Sequence, residues 1–263
     1  MCRGAGWVYL DLPLDDPNRG RAFPCDCTEA RRRERRHREL RDQSGLRALS
    51  RMTFESFEFR EGNIPEDHSK NLFDVWDAVR TYAEKPWPQG WLLLYGTYGC
   101  GKTHLAAAAV NHRIAMLERP AMFVVVPDFL DYLRSTFNPA APAGFDDYFQ
   151  RVKAMEFLVL DDLGAENSTP WVNETLFQLV NYRYNNELPT VFTSNAKVDA
   201  VEDRVRSRML DNSFTERWAI QAPDYRLTGH SVAATLLHAE GNAMASPEAA
   251  IAGASPRRPR RKS

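Results

Sequence analysis

No apolar run in this chain approaches the roughly 18 residues needed to cross a bilayer. The first 25 residues also lack a charged segment followed by an apolar one. A membrane-embedded or exported protein is therefore not expected, and the cytoplasm is the default compartment. Cysteine is scarce, with four in 263 residues and three of those within the first 27. That usage argues against a disulfide framework and leaves a metal site or free thiols. No internal repeat is visible. Net charge is nearly absent at −1, but the total conceals a segregation. Residues 1–60 hold 13 Lys and Arg against 10 Asp and Glu, residues 61–240 hold 16 against 24, and residues 241–263 hold five against one. An acidic middle repels phosphate on average, so a nucleic-acid footprint has to come from the basic ends or from a local stripe.

What is present divides into four zones. Residues 1–27 form a small loop-rich head with Cys at both edges, too short to build a core of its own. Residues 28–60 begin with Thr28, expected as an N-cap, and run through seven arginines between Arg31 and Arg41, polar on every side. They read as an arginine-rich helix or linker, either a solvated connection or a basic surface for DNA or a protein. Residues 61–228 alternate short apolar runs with helical patterns, which predicts parallel βαβ units and a three-layer α/β sandwich. The expected strands are Trp91–Tyr95, Met122–Val126, Phe157–Asp161, Thr190–Thr193 and Trp218–Gln221, with helices near Lys102–Leu117, Pro127–Phe137 and Trp171–Asn186. Residues 229–263 are rich in Ala, Ser, Gly and Pro and end in a basic cluster, a composition that predicts disorder.

The strongest chemical signal is Gly96-Thr97-Tyr98-Gly99-Cys100-Gly101-Lys102-Thr103, which follows an apolar strand and precedes the helical pattern His104-Leu105-Ala106. It satisfies the P-loop pattern G-x-x-x-x-G-K-[ST] in its required strand–loop–helix setting. The glycines let backbone N–H groups converge on one anion, and the helix N-terminus adds its positive end. Lys102 is expected at the β/γ-phosphates and the Thr103 hydroxyl on Mg²⁺. Such a site needs a second, carboxylate-bearing strand, and Phe157-Leu158-Val159-Leu160-Asp161-Asp162 supplies one. Asp161 is then expected to hold Mg²⁺ through water and Asp162 to orient and deprotonate the attacking water, with Glu166 next in line.

Because strand Met122–Val126 lies in sequence between the two motifs, an extra strand is expected between the P-loop and acidic strands. This would carry Asn195, in Thr193-Ser194-Asn195, to the γ-phosphate. Arg204, Arg206 and Arg208 recur every second residue near the end of a helix. One of them could face a neighbouring subunit's phosphate, or the run could be an exposed basic helix. Asp224-Tyr225-Arg226 follows the last strand, where an arginine could fold back over a nucleotide. A small-molecule kinase is disfavoured, since no lid or acceptor pattern follows the acidic strand.

Taken in order, Gly96–Ala106, Leu160–Glu166, Pro189–Asn195, Ser207-Arg208 and Asp224-Tyr225-Arg226 resemble the DnaC/DnaI/IstB branch of AAA+ ATPases over about residues 50–227. The resemblance implies a cytoplasmic ATPase, acting as a homo-oligomer when ATP-bound. Such a protein loads a DnaB-type replicative helicase onto single-stranded DNA or, alternatively, assists transposition on target DNA. It also implies a nucleotide site of Gly96, Gly99, Cys100, Gly101, Lys102, Thr103, His104, Asp161, Asp162 and Asn195, with Arg208 as intersubunit arginine finger and Arg226 as second sensor. Asp162 stands where many AAA+ ATPases carry Glu, and the shorter side chain implies slow, switch-like hydrolysis. The family's helical insertion for DNA should fall near Phe137–Arg151, yet Asn138-Pro139-Ala140-Ala141-Pro142-Ala143-Gly144 reads as a loop; Arg134, Arg151 and Lys153 are the phosphate candidates there.

The head, with Cys2, Cys25 and Cys27, resembles the zinc-binding knuckle of phage and Gram-positive loaders and would sit on the helicase by analogy. Structural zinc takes four ligands and the head supplies three. His37 is the nearest candidate for the fourth but lies within the arginine run. The expectation is therefore a native chain that continues upstream of Met1 with a further Cys, and weak zinc binding by these 263 residues.

Overall fold

The computed structural model describes residues 2, 5–13, 15–135, 145–195 and 201–228. The expected loop at 138–144 and the tail after residue 228 lie outside the described residues. In chain order the elements are β1 (Trp7–Tyr9), β2 (Ala22–Pro24), α1 (Asp26–Gln43), α2 (Glu66–Glu84), β3 (Trp91–Gly96), α3 (Lys102–Leu117), β4 (Met122–Val125), α4 (Val126–Ser135), α5 (Phe145–Ala154), β5 (Leu158–Leu163), α6 (Pro170–Asn185), β6 (Thr190–Asn195), α7 (Asp203–Met209), β7 (Thr215–Ile220) and α8 (Tyr225–Thr228).

The five long strands form one parallel sheet in the order β4-β5-β6-β3-β7. Alternation along β3 shows why three layers result. Leu92 and Leu94 enter the cluster formed with α2 and α3, while Trp91 and Leu93 enter the one formed with α4 and α6. The first layer includes Val75 and Val79 of α2 and Ala106 to Ala109 of α3, all buried, whose small side chains let α3 lie close on the sheet. The second includes Leu176, Leu179 and Val180 of α6. Leu40, Leu46, Phe54 and Phe57, from the segment read as linker, are also buried in the first cluster.

Two fully buried arginines close helix ends. Arg113 donates to the carbonyls of Ala83, Lys85 and Pro86 past the end of α2. Arg183 donates to Lys153, Met155 and Pro189 carbonyls and to Thr190 Oγ1, joining the end of α5 to the start of β6. Each guanidinium donates to carbonyls at or beyond a helix end, charge-assisted bonds worth about 1.5–3 kcal/mol apiece.

Several local expectations change. The strand between the P-loop strand and the acidic strand is β6, whereas β4 takes the edge beyond β5. Helix α1 starts at Asp26 with Cys25 before it, and the Thr28 hydroxyl donates to the Gly6 carbonyl at 2.6 Å, fastening the head hairpin to the helix instead of capping it. Residues 145–154 form helix α5, which follows the expected loop and occupies the end of the expected insertion region. The last strand begins at Thr215, three residues early. Helix α6 begins at Pro170, one residue earlier than expected, with Thr169 Oγ1 accepting from the Val172 N–H as its N-cap.

Candidate functional site

The carboxyl ends of β3, β5 and β6 meet at one point because β6 separates the other two by a single strand spacing. The P-loop joins β3 to α3 with Gly99 at φ 65° and Gly101 at φ 113°, the left-handed region glycine tolerates. A Cβ at Gly99 would overlap the Asp224 carboxylate, so this position needs glycine for space as well. Lys102 is buried, its ammonium donating to the carbonyls of Gly96 at 3.0 Å and Thr97 at 2.7 Å. Cys100 is buried, with its sulfur 3.7 Å from that ammonium, so only its backbone can face a ligand.

Thr103 Oγ1 lies 3.2 Å from both oxygens of Asp161, which also accepts from Thr193 Oγ1 at 2.6 Å. Burial pushes the Asp161 carboxyl above its ordinary value, opposed by the two hydroxyl donors. A register shift between Leu160 and Leu163 takes the two aspartates out of the β5–β6 ladder, although Asp161 stays paired with Val125 of β4, and Asp162 adopts φ 60°. Its amide then donates to Thr193 Oγ1 at 2.9 Å, and its Oδ1 accepts from Asn195 Nδ2 at 3.1 Å. Glu166 turns back to accept from the Gly164 N–H at 2.8 Å, and burial raises its carboxyl too. Thr103, Asp161, Asp162 and Asn195 thus form one hydrogen-bonded chain through Thr193.

A cleft of about 460 Å³ opens beside the P-loop, bounded by Lys102, Thr103, Phe57, Arg60, Tyr225 and Arg226. Its far wall escaped the sequence reading, because residues 49–60 look like the end of a linker. Their signal was the apolar spacing Phe54, Phe57, Phe59 beside charged Glu58 and Arg60. His104 Nε2 meets the Thr53 carbonyl at 3.0 Å and Ser56 Oγ at 3.2 Å, holding that wall against the first turn of α3. On the opposite side, Tyr225 donates its amide to the Gly99 carbonyl at 2.9 Å and its hydroxyl to Glu58 at 2.8 Å, and Arg60 donates to the Pro223 carbonyl at 2.7 Å. These contacts bring Arg226 to the cleft.

Arg208 lies elsewhere, on α7. It donates to Asn181 Oδ1 at 3.0 Å and the Arg204 carbonyl at 2.8 Å, with its guanidinium over Phe177. Arg204 is paired with Glu202 and Glu174, and Arg206 with Asp203. Arg134 pairs with Asp131, and Arg151 lies over Tyr148.

In the head, the sulfurs of Cys2, Cys25 and Cys27 all lie within 4.8 Å of one another, Cys2 and Cys27 at 3.1 Å. Hydrogen bonding with Cys2 and Cys25 pushes the Cys27 thiol up to about 11. Three convergent sulfurs fit zinc in donor type and spacing. His37 does not join them: its Nε2 is 3.7 Å from Glu118 Oε1, ten residues or about 15 Å along α1 from Cys27. Among the described residues no helix is long and apolar enough to cross a membrane.

Known proteins match this arrangement. The replicative helicase loader DnaI of Bacillus subtilis is 33% identical over 146 residues, 55% of this chain and 45% of that protein, so the chain spans less than half the length of this curated relative. The crystal structure of the DnaC helicase loader superposes with a TM-score of 0.53 at 21% identity, over 64% of this chain and 96% of that one. Domain III of Thermotoga maritima DnaA does so with a TM-score of 0.53 at 22% identity, over 72% and 75%. These likenesses give the sheet and its crossovers the fold of a P-loop AAA+ domain. The IstB-like ATP-binding protein model matches residues 26–233, four fifths of the chain, and the chain belongs to that family.

Proposed function

We propose that this protein is a slow, Mg²⁺-dependent ATPase that loads a replicative ring helicase onto single-stranded DNA in the cytoplasm. The nucleotide chemistry rests on the hydrogen-bonded chain from Thr103 through Asp161 and Thr193 to Asp162 and Asn195. The P-loop amides and the N-terminus of α3 bind the phosphates, and Lys102 turns its ammonium from the Gly96 and Thr97 carbonyls to the β/γ-phosphates. Thr103 and Asp161, as hard oxygen donors, would hold Mg²⁺, which would neutralise phosphate charge when bound. Asp162 orients the attacking water and takes its proton, while Asn195 fixes the Asp162 carboxylate and reaches the γ-phosphate. Arg226 covers the phosphates from α8, and Arg208 serves the site of a neighbouring copy in an ATP-bound oligomer. Cys2, Cys25 and Cys27 would hold zinc, which would brace a head that supplies no core of its own.

The loader assignment is carried by the relationship to the DnaI helicase loader. The family match supports a second reading, a transposition helper of IstB type that binds target duplex DNA. A pull-down with the replicative helicase and with a transposase from the same cell, with and without ATP, separates them. The loader reading expects ATP-dependent helicase capture, and ATP-dependent transposase capture alone replaces it.

A further inference from the structure

The outer face of α1 belongs to no site described so far. Its inner face is spoken for: Leu40 is buried, Arg36 donates to the Glu118 carbonyl at 3.3 Å, and Arg33 and His37 each approach Glu118 Oε1 at 3.7 Å. These contacts pin the helix against the end of α3. On the opposite face Arg31, Arg35 and Arg38 recur at i, i+4 and i+7, within about 60° of arc, and span about 10 Å along the axis. All three are exposed, and no ion pair engages any of them among the described residues. Between Cys27 and Leu40 the only apolar residue is Ala30.

We infer that the Arg31–Arg35–Arg38 stripe of α1 is a nucleic-acid contact that tracks the phosphodiester backbone, separate from the ATPase core. The stripe has no aromatic or aliphatic anchor of the kind that carries a protein–protein hot spot, so binding there has to be electrostatic. Guanidinium forks match phosphate oxygens two at a time and keep their charge at any physiological pH. A helix fixed on its inner face holds the three forks in one line, which lowers the ordering cost of engaging a strand. The acidic middle of the chain makes such a local stripe the place for an anionic partner. The inference rests on DNA being a ligand of this protein.

The test uses the full chain and a fluorescein-labelled single-stranded oligonucleotide, with anisotropy read between 50 and 200 mM salt. Arg31→Gln/Arg35→Gln/Arg38→Gln should bind about tenfold more weakly, and its log K against log salt slope should be shallower by about 2, at ~0.7 per lost contact. DNA-free ATP hydrolysis should stay at the parent level. The triple Lys variant, which keeps the charges, should recover most of the slope. Parent-like affinity and slope in the Gln variant overturn the inference, as does helicase capture lost in that variant with DNA binding intact. A parent that binds no DNA defeats the DNA reading itself, a result distinguishable from an indifferent variant.

Discussion

Thr193 donates its hydroxyl to Asp161 Oδ1 at 2.6 Å, tying the tip of β6 to the tip of β5. The bond favours the ionised form of a buried carboxylate, and together the hydroxyls of Thr193 and Thr103 offset part of its desolvation.

That balance gives a pH dependence. Because burial raises the Asp161 carboxyl in the native state, the folded chain holds the extra proton between the unfolded and native values, and stability falls as pH rises through that window. Asp161→Asn should therefore melt higher than the parent at pH 8 without nucleotide, by ~2–4 °C per kcal/mol relieved. The gap should narrow as pH falls into the ordinary carboxylate range. Thr193→Val, which keeps the charge and removes a donor, should lose about 1–3 kcal/mol. Thermal melts at several pH values check both, and an Asp161→Asn melting point below the parent's at pH 8 refutes the argument.

The phosphate site separates binding from turnover. Lys102→Ala removes the charge facing the β/γ-phosphates and should reduce ATP affinity at least a hundredfold. Asp162→Asn keeps the amide link to Thr193 and should bind ATP normally while hydrolysis drops by a factor on the order of 10²–10⁴. Nucleotide titration and phosphate release measure the two. Normal turnover in Asp162→Asn would shift the base to Glu166, whose carboxyl burial already raises.

Arg208 sits on α7 and makes no ion pair among the described residues, unlike Arg204 and Arg206. If it serves a neighbour's site, Arg208→Ala should bind ATP and hydrolyse it 10³-fold more slowly or worse. Mixing it with Lys102→Ala should restore part of the activity through mixed interfaces. No recovery in mixtures that still assemble would assign Arg208 a role in packing on Phe177.

Three thiolates should hold zinc more loosely than a four-ligand site. The chain is expected to take up one zinc and to surrender it to a mild chelator, with Cys27→Ser taking up none. ATP binding should be unaffected in either case. Metal analysis before and after chelation reads this out, and one tightly retained zinc would point to a fourth ligand.

Short-range order carried much of the molecule. The run Gly96 to Thr103 between an apolar strand and a helical pattern identifies its own chemistry, since the loop is built from consecutive residues. Helix α3 matches Lys102–Leu117 at both ends, and Thr169-Pro170 marks the start of α6, because caps and P-loops are local devices. Helix α2 is absent from the pattern reading although Leu72, Val75 and Val79 repeat at helical spacing. Non-local pairing decided the rest. Strand order depends on which edges meet across long crossovers, so the placement of β6 between β3 and β5 emerged only with the sheet. The register shift at Leu160–Leu163 aims Asp162 at Asn195 by a backbone irregularity that no residue type announces. The far wall of the cleft behaves the same way: Glu58 and Arg60 become site residues because Tyr225, more than 160 positions later, folds back to meet them. Contacts so distant in sequence leave no periodic trace, and only the packed chain brings them into one site.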